Sequence, residues 1–311
     1  MLANFFDKTK PINSLIIAFS FCLFYLVFFI SQEGQIVSVI TIVSGLGLLF
    51  LHLLFLFLLA TTLIKNRIEE DDLYTSFIIV LLYGMFPSVF LAKKTLLIGL
   101  LSILFYSKIS TLNTKKNTIR TLFDSGFIIG VLMFLFNWIL LFFPLIYIAL
   151  ILFKKVSFRH LIIPIVGVIS PIILGFTYFL MQDTLQIFYE IFHFKNTTDL
   201  SLYIDSTFKI PIIVMFITTL ISVLATIPKI ISISDAYRGQ YAIVLFMLLI
   251  ELFLVILTPV KNGSELLYLF IPIGVVIAKF IKDIPKYLFK ELLLIALTLF
   301  SAVMMYKDTV S

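Results

Sequence analysis

Two acidic residues lie at the polar ends of apolar segments, where a carboxyl group could take part in chemistry. Glu33 follows the first long apolar run, and Glu265 lies in the polar turn 261–265 before a later run. A carboxyl group that faces water beside a membrane can act as a general acid or base. A capping box is the alternative for Glu265, because Asn262 precedes it by three residues. Glu33 and Glu265 are therefore candidate catalytic residues.

Three lysines flank apolar segments and could bind an anion: Lys93, Lys94 and Lys261. Lysines at a membrane boundary attract phosphate groups and anionic lipid headgroups. The alternative is that they are isolated interfacial lysines without a ligand. We interpret them as a candidate site for a phosphate or a lipid headgroup.

Two further polar residues, Glu251 and His52, fall inside long apolar runs. A carboxylate near the middle of a bilayer costs roughly 3 kcal/mol on insertion scales, so Glu251 should face protein or water. Glu251 could relay protons or contact a substrate. It could instead be a neutral carboxyl group that is hydrogen-bonded to another helix, for example to His52. Sequence spacing leaves open whether the two residues meet.

The chain offers little for metal or cofactor chemistry. It has three histidines and one cysteine, none paired at the spacing of metal ligands, so we expect no metal site. We find no phosphate loop, nucleophile elbow or dinucleotide fingerprint, and we therefore predict no cofactor.

The composition identifies the setting in which these residues act. Hydrophobic residues make up 61% of the 311 residues and charged residues only 13%, which excludes a soluble exterior. The net charge of +6 does not indicate nucleic acid, because the basic residues lie at the ends of apolar runs. We predict an all-α, polytopic transmembrane bundle that forms a single membrane domain over residues 1–311, with the lipid bilayer as its partner.

Hydropathy predicts about 11 spans, within a range of about 9 to 12, because a span needs about 20 apolar residues. The predicted apolar segments are 14–30, 36–64, 74–92, 95–107, two within 121–153 divided near Asn137, 161–181, 210–227, 241–259, 266–280 and 291–305. With the N-terminus in the cytoplasm, this alternation puts most of the 23 Lys and Arg residues on the cytoplasmic side. We therefore predict a bacterial cytoplasmic (inner) membrane protein with a periplasmic C-terminus. Lys93, Lys94 and Lys261 then face outward.

The longest loop, 182–208, is predicted to lie on the outer face. Helical spacing over residues 185–194 separates an apolar side from a polar side, which predicts an amphipathic interfacial helix. Its apolar side comprises Leu185, Ile187, Phe188, Ile191, Phe192 and Phe194. In an earlier segment, Gly126 and Gly130 match the GxxxG pattern of closely packed membrane helices.

Several of these stretches resemble known families. Segments 82–88, 124–130, 137–138 and 154–155, together with the basic turn followed by 265–272, resemble the GT-C membrane glycosyltransferases. At full length the chain resembles an uncharacterised multipass family of Bacteroidota, in which the patterns at 6–11, 124–127 and 262–265 recur.

The GT-C resemblance implies transfer of a sugar from a polyprenyl-phosphate donor on the outer face. That class usually carries a catalytic acid in a sizeable first outer loop, whereas here the loop is only 31–35, with Glu33 as its carboxylate. A scaffold of this type without transferase activity fits as well.

Three functions therefore stay open. The first is handling of a polyprenyl-phosphate-linked sugar. The second is a non-enzymatic membrane subunit or scaffold that binds proteins of an envelope complex. The third is a proton-coupled transporter that uses Glu251 and His52.

Overall fold

The computed structural model describes most of the chain. The described residues are 5–7, 10–32, 39–66, 72–113, 117–194, 200–205, 207–231, 235–259 and 261–310. Over these ranges the regular secondary structure is helical, with no strand. The all-α prediction is confirmed.

Thirteen α-helices and three 3₁₀ segments make up the described structure. In chain order the α-helices are α1 (Pro11–Gln32), α2 (Val39–Lys65), α3 (Tyr74–Met85), α4 (Lys93–Thr111), α5 (Thr118–Met133), α6 (Phe143–Leu152), α7 (Phe158–Met181), α8 (Leu185–Ile191), α9 (Ser201–Asp205), α10 (Lys209–Ile231), α11 (Asp235–Leu257), α12 (Leu267–Lys282) and α13 (Tyr287–Val310). The 3₁₀ helices are Pro87–Leu91, Asn137–Phe142 and Ser264–Leu266.

Eight helices within the described ranges are long and apolar enough to cross a membrane. The remaining predicted spans are helical but shorter. In two of them a proline lies next to the end or the start of the α-helix. α3 ends at Met85 because Pro87, which lacks a backbone N–H group, starts a 3₁₀ helix. Pro144 in the first turn of α6 likewise follows a 3₁₀ segment. The chain is a membrane protein with several spanning-capable helices.

The chain divides into two compact units. Unit 1 comprises Met1–Leu96, Asp199–Ser232 and Lys261–Ser311, and unit 2 comprises Leu97–Thr198 and Ile233–Val260.

The core of unit 1 is the pair α3 and α12. Every residue of α3 is buried, and α12 is buried over nearly its whole length. Helices that are apolar all round belong in an interior, and α1, α10 and α13 cover this pair. Gly84 allows close contact, since a side chain there would collide with Ser301 and Phe24. This packing fixes the ends of α3 and α12, where the candidate lysines and Glu265 lie.

In unit 2, α5 and α7 run side by side in the same direction. A side chain at Gly126 would collide with the Pro164 carbonyl oxygen, and one at Gly130 with the Val168 carbonyl oxygen. The GxxxG prediction therefore holds, and its partner is α7.

The predicted amphipathic segment forms the short helix α8, which ends at Ile191. Phe188 is buried against the rings of Phe134, Phe176, Phe179 and Phe192, while Gln186 and Glu190 are exposed. Phe188, together with Phe192 at the helix end, thus packs the helix against the rest of unit 2. Ile187 and Phe194, on the predicted apolar side, are largely exposed.

Candidate functional site

The polar turn before α12 packs against the 3₁₀ helix that follows α3. Gly263 has a φ of +86°, in the left-handed region that glycine adopts without strain. A Cβ atom there would come within 2.5 Å of the Phe208 ring and 2.7 Å of Ser88 Oγ. Glycine at position 263 is therefore required both by its conformation and by this close approach.

Glu265 is buried in this turn, with 1% of its surface exposed. The Tyr203 hydroxyl donates to Glu265 Oε1, and the Asn262 backbone N–H donates to Oε2 over 3.3 Å. In return, Asn262 Oδ1 accepts from the Ser264 N–H at 3.1 Å and from Ser264 Oγ at 2.6 Å. Only half of the expected capping box is present, because Glu265 reaches back to the Asn262 N–H whereas the Asn262 side chain bonds Ser264 and not the Glu265 N–H. Glu265 fixes the turn and connects it to α9.

Tyr203 was not identified by sequence reasoning. It lies 62 residues from Glu265, on the short helix α9, and no periodic pattern connects the two positions. Burial, followed by the hydrogen bond and charge of Glu265, raises the pKa of Tyr203. The phenol therefore remains a neutral donor to the carboxylate.

The three candidate lysines are carried by neighbouring turns of unit 1. Lys93 and Lys94 open α4 directly after the 3₁₀ helix Pro87–Leu91, and both are exposed. Lys261 is half-buried and lies three residues before the 3₁₀ helix Ser264–Leu266. These two 3₁₀ helices contact each other. The turns next to these lysines are therefore neighbours in unit 1, although they lie far apart in sequence.

A narrow cleft lies beside the same turn. It is lined by Met85, Pro87, Thr207, Phe208, Pro211, Met304, Lys307 and Asp308. Phe208 also contacts Gly263, so the cleft adjoins the turn. Lys307, which sequence analysis did not single out, adds a further cation near this end of unit 1.

The other candidate acid, Glu33, lies outside the described residues. The described part of the chain contains no group of three or more His, Cys, Asp or Glu residues arranged to hold a metal ion.

His52 lies in an aromatic cluster of unit 1 that includes Phe21, Tyr25, Tyr83 and Phe90. Its Nε2 lies 3.2 Å from the Phe90 carbonyl oxygen, which can only accept, so Nε2 carries the proton. Nδ1 therefore accepts from the Tyr83 hydroxyl at 3.0 Å. Both nitrogens of a neutral imidazole are satisfied within unit 1.

Glu251 belongs to unit 2 and is 2% exposed, in the middle of α11. Its Oε2 has no hydrogen-bond partner among the described residues. Gln240 lies on the same side of α11, because eleven residues bring the helix back to within about 20°. Gln240 Nε2 donates to the Ser110 carbonyl oxygen at 2.8 Å. Its Oε1 also lacks a partner in the described ranges.

The comparisons with known proteins supply a family and no activity. A family model described as a family of unknown function, DUF6427, matches residues 1–310, so the chain belongs to that family. No curated protein matches the chain. No solved structure matches it either.

Proposed function

We propose that this member of a family of unknown function binds the phosphate of a polyprenyl-phosphate-linked sugar, or of a similarly built lipid, at one end of unit 1. The observation that carries the proposal is the contact between the 3₁₀ helices Pro87–Leu91 and Ser264–Leu266. That contact makes neighbours of the turns next to Lys93, Lys94 and Lys261 and so supports a shared anion site.

The electrostatics of α4 support an anionic ligand. Lys93 and Lys94 occupy its first turn, where the helix dipole disfavours positive charge. The free backbone N–H groups of that turn attract negative charge. A bound phosphate would compensate the lysine charges and accept hydrogen bonds from these N–H groups. Hydrogen bonds from lysine to phosphate are charge-assisted and therefore strong.

The resemblance to GT-C glycosyltransferases suggests the lipid and its side of the membrane. It implies a polyprenyl-phosphate donor on the outer face of the cytoplasmic membrane, with the N-terminus in the cytoplasm. The resemblance to a family of Bacteroidota fits this location. In this proposal Glu265 positions the turn, because both of its carboxylate oxygens accept hydrogen bonds. Glu33 then remains the candidate acid or base for sugar transfer.

The test is binding of a short-chain polyprenyl phosphate to the full chain in detergent. Replacing Lys93, Lys94 and Lys261 together with Gln should weaken binding roughly 100-fold, because three lost contacts at roughly 1 kcal/mol each total about 3 kcal/mol. Lys286→Gln, an exposed lysine in the loop before α13, is the matched control and should leave affinity unchanged. Equal affinity for the triple variant and the control would refute the phosphate role.

Hydrogen bonding in unit 1 favours a second candidate, a non-enzymatic subunit or scaffold of an envelope complex. Glu265 and His52 both serve internal contacts that hold the fold. Purification in a mild detergent should then recover a stoichiometric protein partner, and a homogeneous monomer would count against this role.

The unpaired oxygens of Glu251 and Gln240 favour a third candidate, proton-coupled transport through unit 2. A buried carboxyl group without a full set of partners can exchange a proton with a transport path. Glu251→Gln should then abolish proton uptake by proteoliposomes under an imposed gradient. Proton uptake by the Glu251→Gln variant equal to that of the wild type would refute this role.

A further inference from the structure

A second cationic cleft lies in unit 2, at the start of the paired helices α5 and α7. It measures about 510 Å³ and is lined by Asn117, Thr118, Ile119, Arg120 and His160. The packing of the two helices explains its position. Gly126 faces Pro164 and Gly130 faces Val168, so the same parallel register brings the residues around 119–120 beside those around 160.

The charges around this cleft are positive. Arg120 is exposed and makes no ion pair with any described residue. The carboxylate one turn further along α5, Asp124, is engaged by Lys108 at 2.6 Å. Lys155 reaches the cleft wall, where its Nζ donates to Thr118 Oγ1 at 3.2 Å. Partial burial lowers the pKa of Lys155.

The His160 ring is held in one orientation at the cleft. Its Nδ1 lies 2.6 Å from the Lys155 carbonyl oxygen, and a carbonyl oxygen can only accept a hydrogen bond. Nδ1 is therefore the donor, so Nε2 is the ring nitrogen left to contact a ligand. The backbone N–H of His160 is capped by Ser157 Oγ at 3.3 Å, so the ring belongs to an ordered first turn of α7.

Exposed apolar side chains adjoin the cleft on both helices. Ile119 is 40% exposed on α5, and Phe158 is 81% exposed at the start of α7. Leu161 and Ile162, immediately after His160, are also exposed. Cations beside an apolar helix surface, at the end of a spanning-capable helix, match a ligand with an anionic head and hydrocarbon chains.

We infer that this cleft binds the phosphate of an anionic membrane phospholipid. Arg120 and His160 contact the phosphate oxygens, and Lys155, which is hydrogen-bonded to Thr118 in the cleft wall, adds positive charge. Ile119 and Phe158 contact the acyl chains. The inference is independent of the proposed function, since its residues belong to unit 2 and the proposed phosphate site belongs to unit 1.

The test is native mass spectrometry of the full chain in a neutral detergent, titrated with phosphatidylglycerol or phosphatidylcholine. The wild type should retain phosphatidylglycerol in preference to phosphatidylcholine. The double variant Arg120→Gln/His160→Gln should lose about tenfold in phosphatidylglycerol affinity, because the charge-assisted contact of Arg120 and the contact of His160 both disappear. Lys286→Gln, with the same loss of exposed charge elsewhere, should bind as the wild type does.

Two further arms complete the test. Arg120→Lys with His160 intact should recover most of the affinity, which separates lost charge from lost folding. Inorganic phosphate at millimolar concentration should displace little lipid. If phosphatidylglycerol binds the double variant as tightly as the wild type, the inference fails. If inorganic phosphate displaces the lipid and no preference over phosphatidylcholine remains, the cleft serves a soluble anion and the lipid assignment is overturned.

Discussion

At the scale of single residues, the most telling feature is a carboxylate whose two oxygens are both engaged. Glu265 accepts from Tyr203 and from the Asn262 backbone, and it is almost fully buried. These contacts and the burial of Glu265 support a structural role for this residue in holding the turn. Of the three candidate lysines, Lys261 belongs to this turn.

Tyr203→Phe should lower the free energy of unfolding by about 1–3 kcal/mol, because it removes a hydrogen bond to a buried carboxylate. Tyr189→Phe is the matched control, since Tyr189 is 63% exposed on α8. Unfolding midpoints in detergent measure both. A Tyr203→Phe variant as stable as the control would contradict the role given to this pair.

The same pair predicts a dependence on pH. The pKa of Tyr203 is raised in the folded protein, so its stabilising contribution is complete below the unfolded pKa of about 10 and is lost as pH rises beyond it. The stability difference between wild type and Tyr203→Phe should stay constant from about pH 7 to 9 and shrink above about pH 10. A constant difference at higher pH would show that Tyr203 ionises normally.

Asp72 and Lys282 form an ion pair in unit 1, with Nζ and Oδ2 2.9 Å apart and the aspartate side chain 5% exposed. Burial raises the pKa of Asp72, and the contact with Lys282 only partly opposes this. The contribution of Asp72 to stability is therefore complete below its unfolded pKa of about 4 and falls as pH rises through the folded value.

Two substitutions distinguish the contributions of Asp72 and Lys282 at neutral pH. Lys282→Met should lower the free energy of unfolding by about 2–3 kcal/mol, because it leaves a buried carboxylate without its partner. Asp72→Asn should lower the free energy of unfolding less, because it removes the more buried of the two charges, and the remaining charge of Lys282 is 27% exposed. Chemical unfolding at pH 7 gives both values, and a larger cost for Asp72→Asn would reverse this interpretation.

At the scale of elements, hydropathy predicted the helices well and their partners hardly at all. Apolar runs indicate helices because the bilayer requires internally satisfied backbones. Pro87 lies where the run 74–92 changes from α-helix to 3₁₀ helix, and Pro144 lies just after the 3₁₀ helix Asn137–Phe142. The GxxxG spacing predicted a close helix contact, but only the structure shows that α7 is the partner. No local sequence pattern predicts the hydrogen bond between Tyr203 and Glu265, because it joins segments 62 residues apart.

The contact between α5 and α7 yields a stability prediction. Gly126→Ala should lower the free energy of unfolding by about 1–3 kcal/mol, because the added methyl group collides with the Pro164 backbone. Gly47→Ala in α2 is the control, since no atom lies within 4 Å of its added Cβ, and it should be neutral or slightly stabilising. Similar midpoints for the two variants would contradict the close contact of α5 and α7.

At the scale of the whole molecule, composition and span pattern identify a membrane protein, and the family assignment covers nearly the full chain. The division into two units was not predicted, because unit 1 is assembled from three separate stretches of sequence. The candidate site likewise combines stretches that are distant in sequence. Its lysines were recognisable individually, whereas their association depends on two 3₁₀ helices that meet only in the folded chain.

The most direct measurement is photo-crosslinking of the full chain with a polyprenyl phosphate that carries a photoreactive group near the phosphate, followed by peptide mapping. The account predicts crosslinks within residues 87–94 and 261–266, which disappear when Lys93, Lys94 and Lys261 are replaced by Gln and persist in Lys286→Gln. Crosslinks confined to other segments, or unchanged in the triple variant, would contradict it.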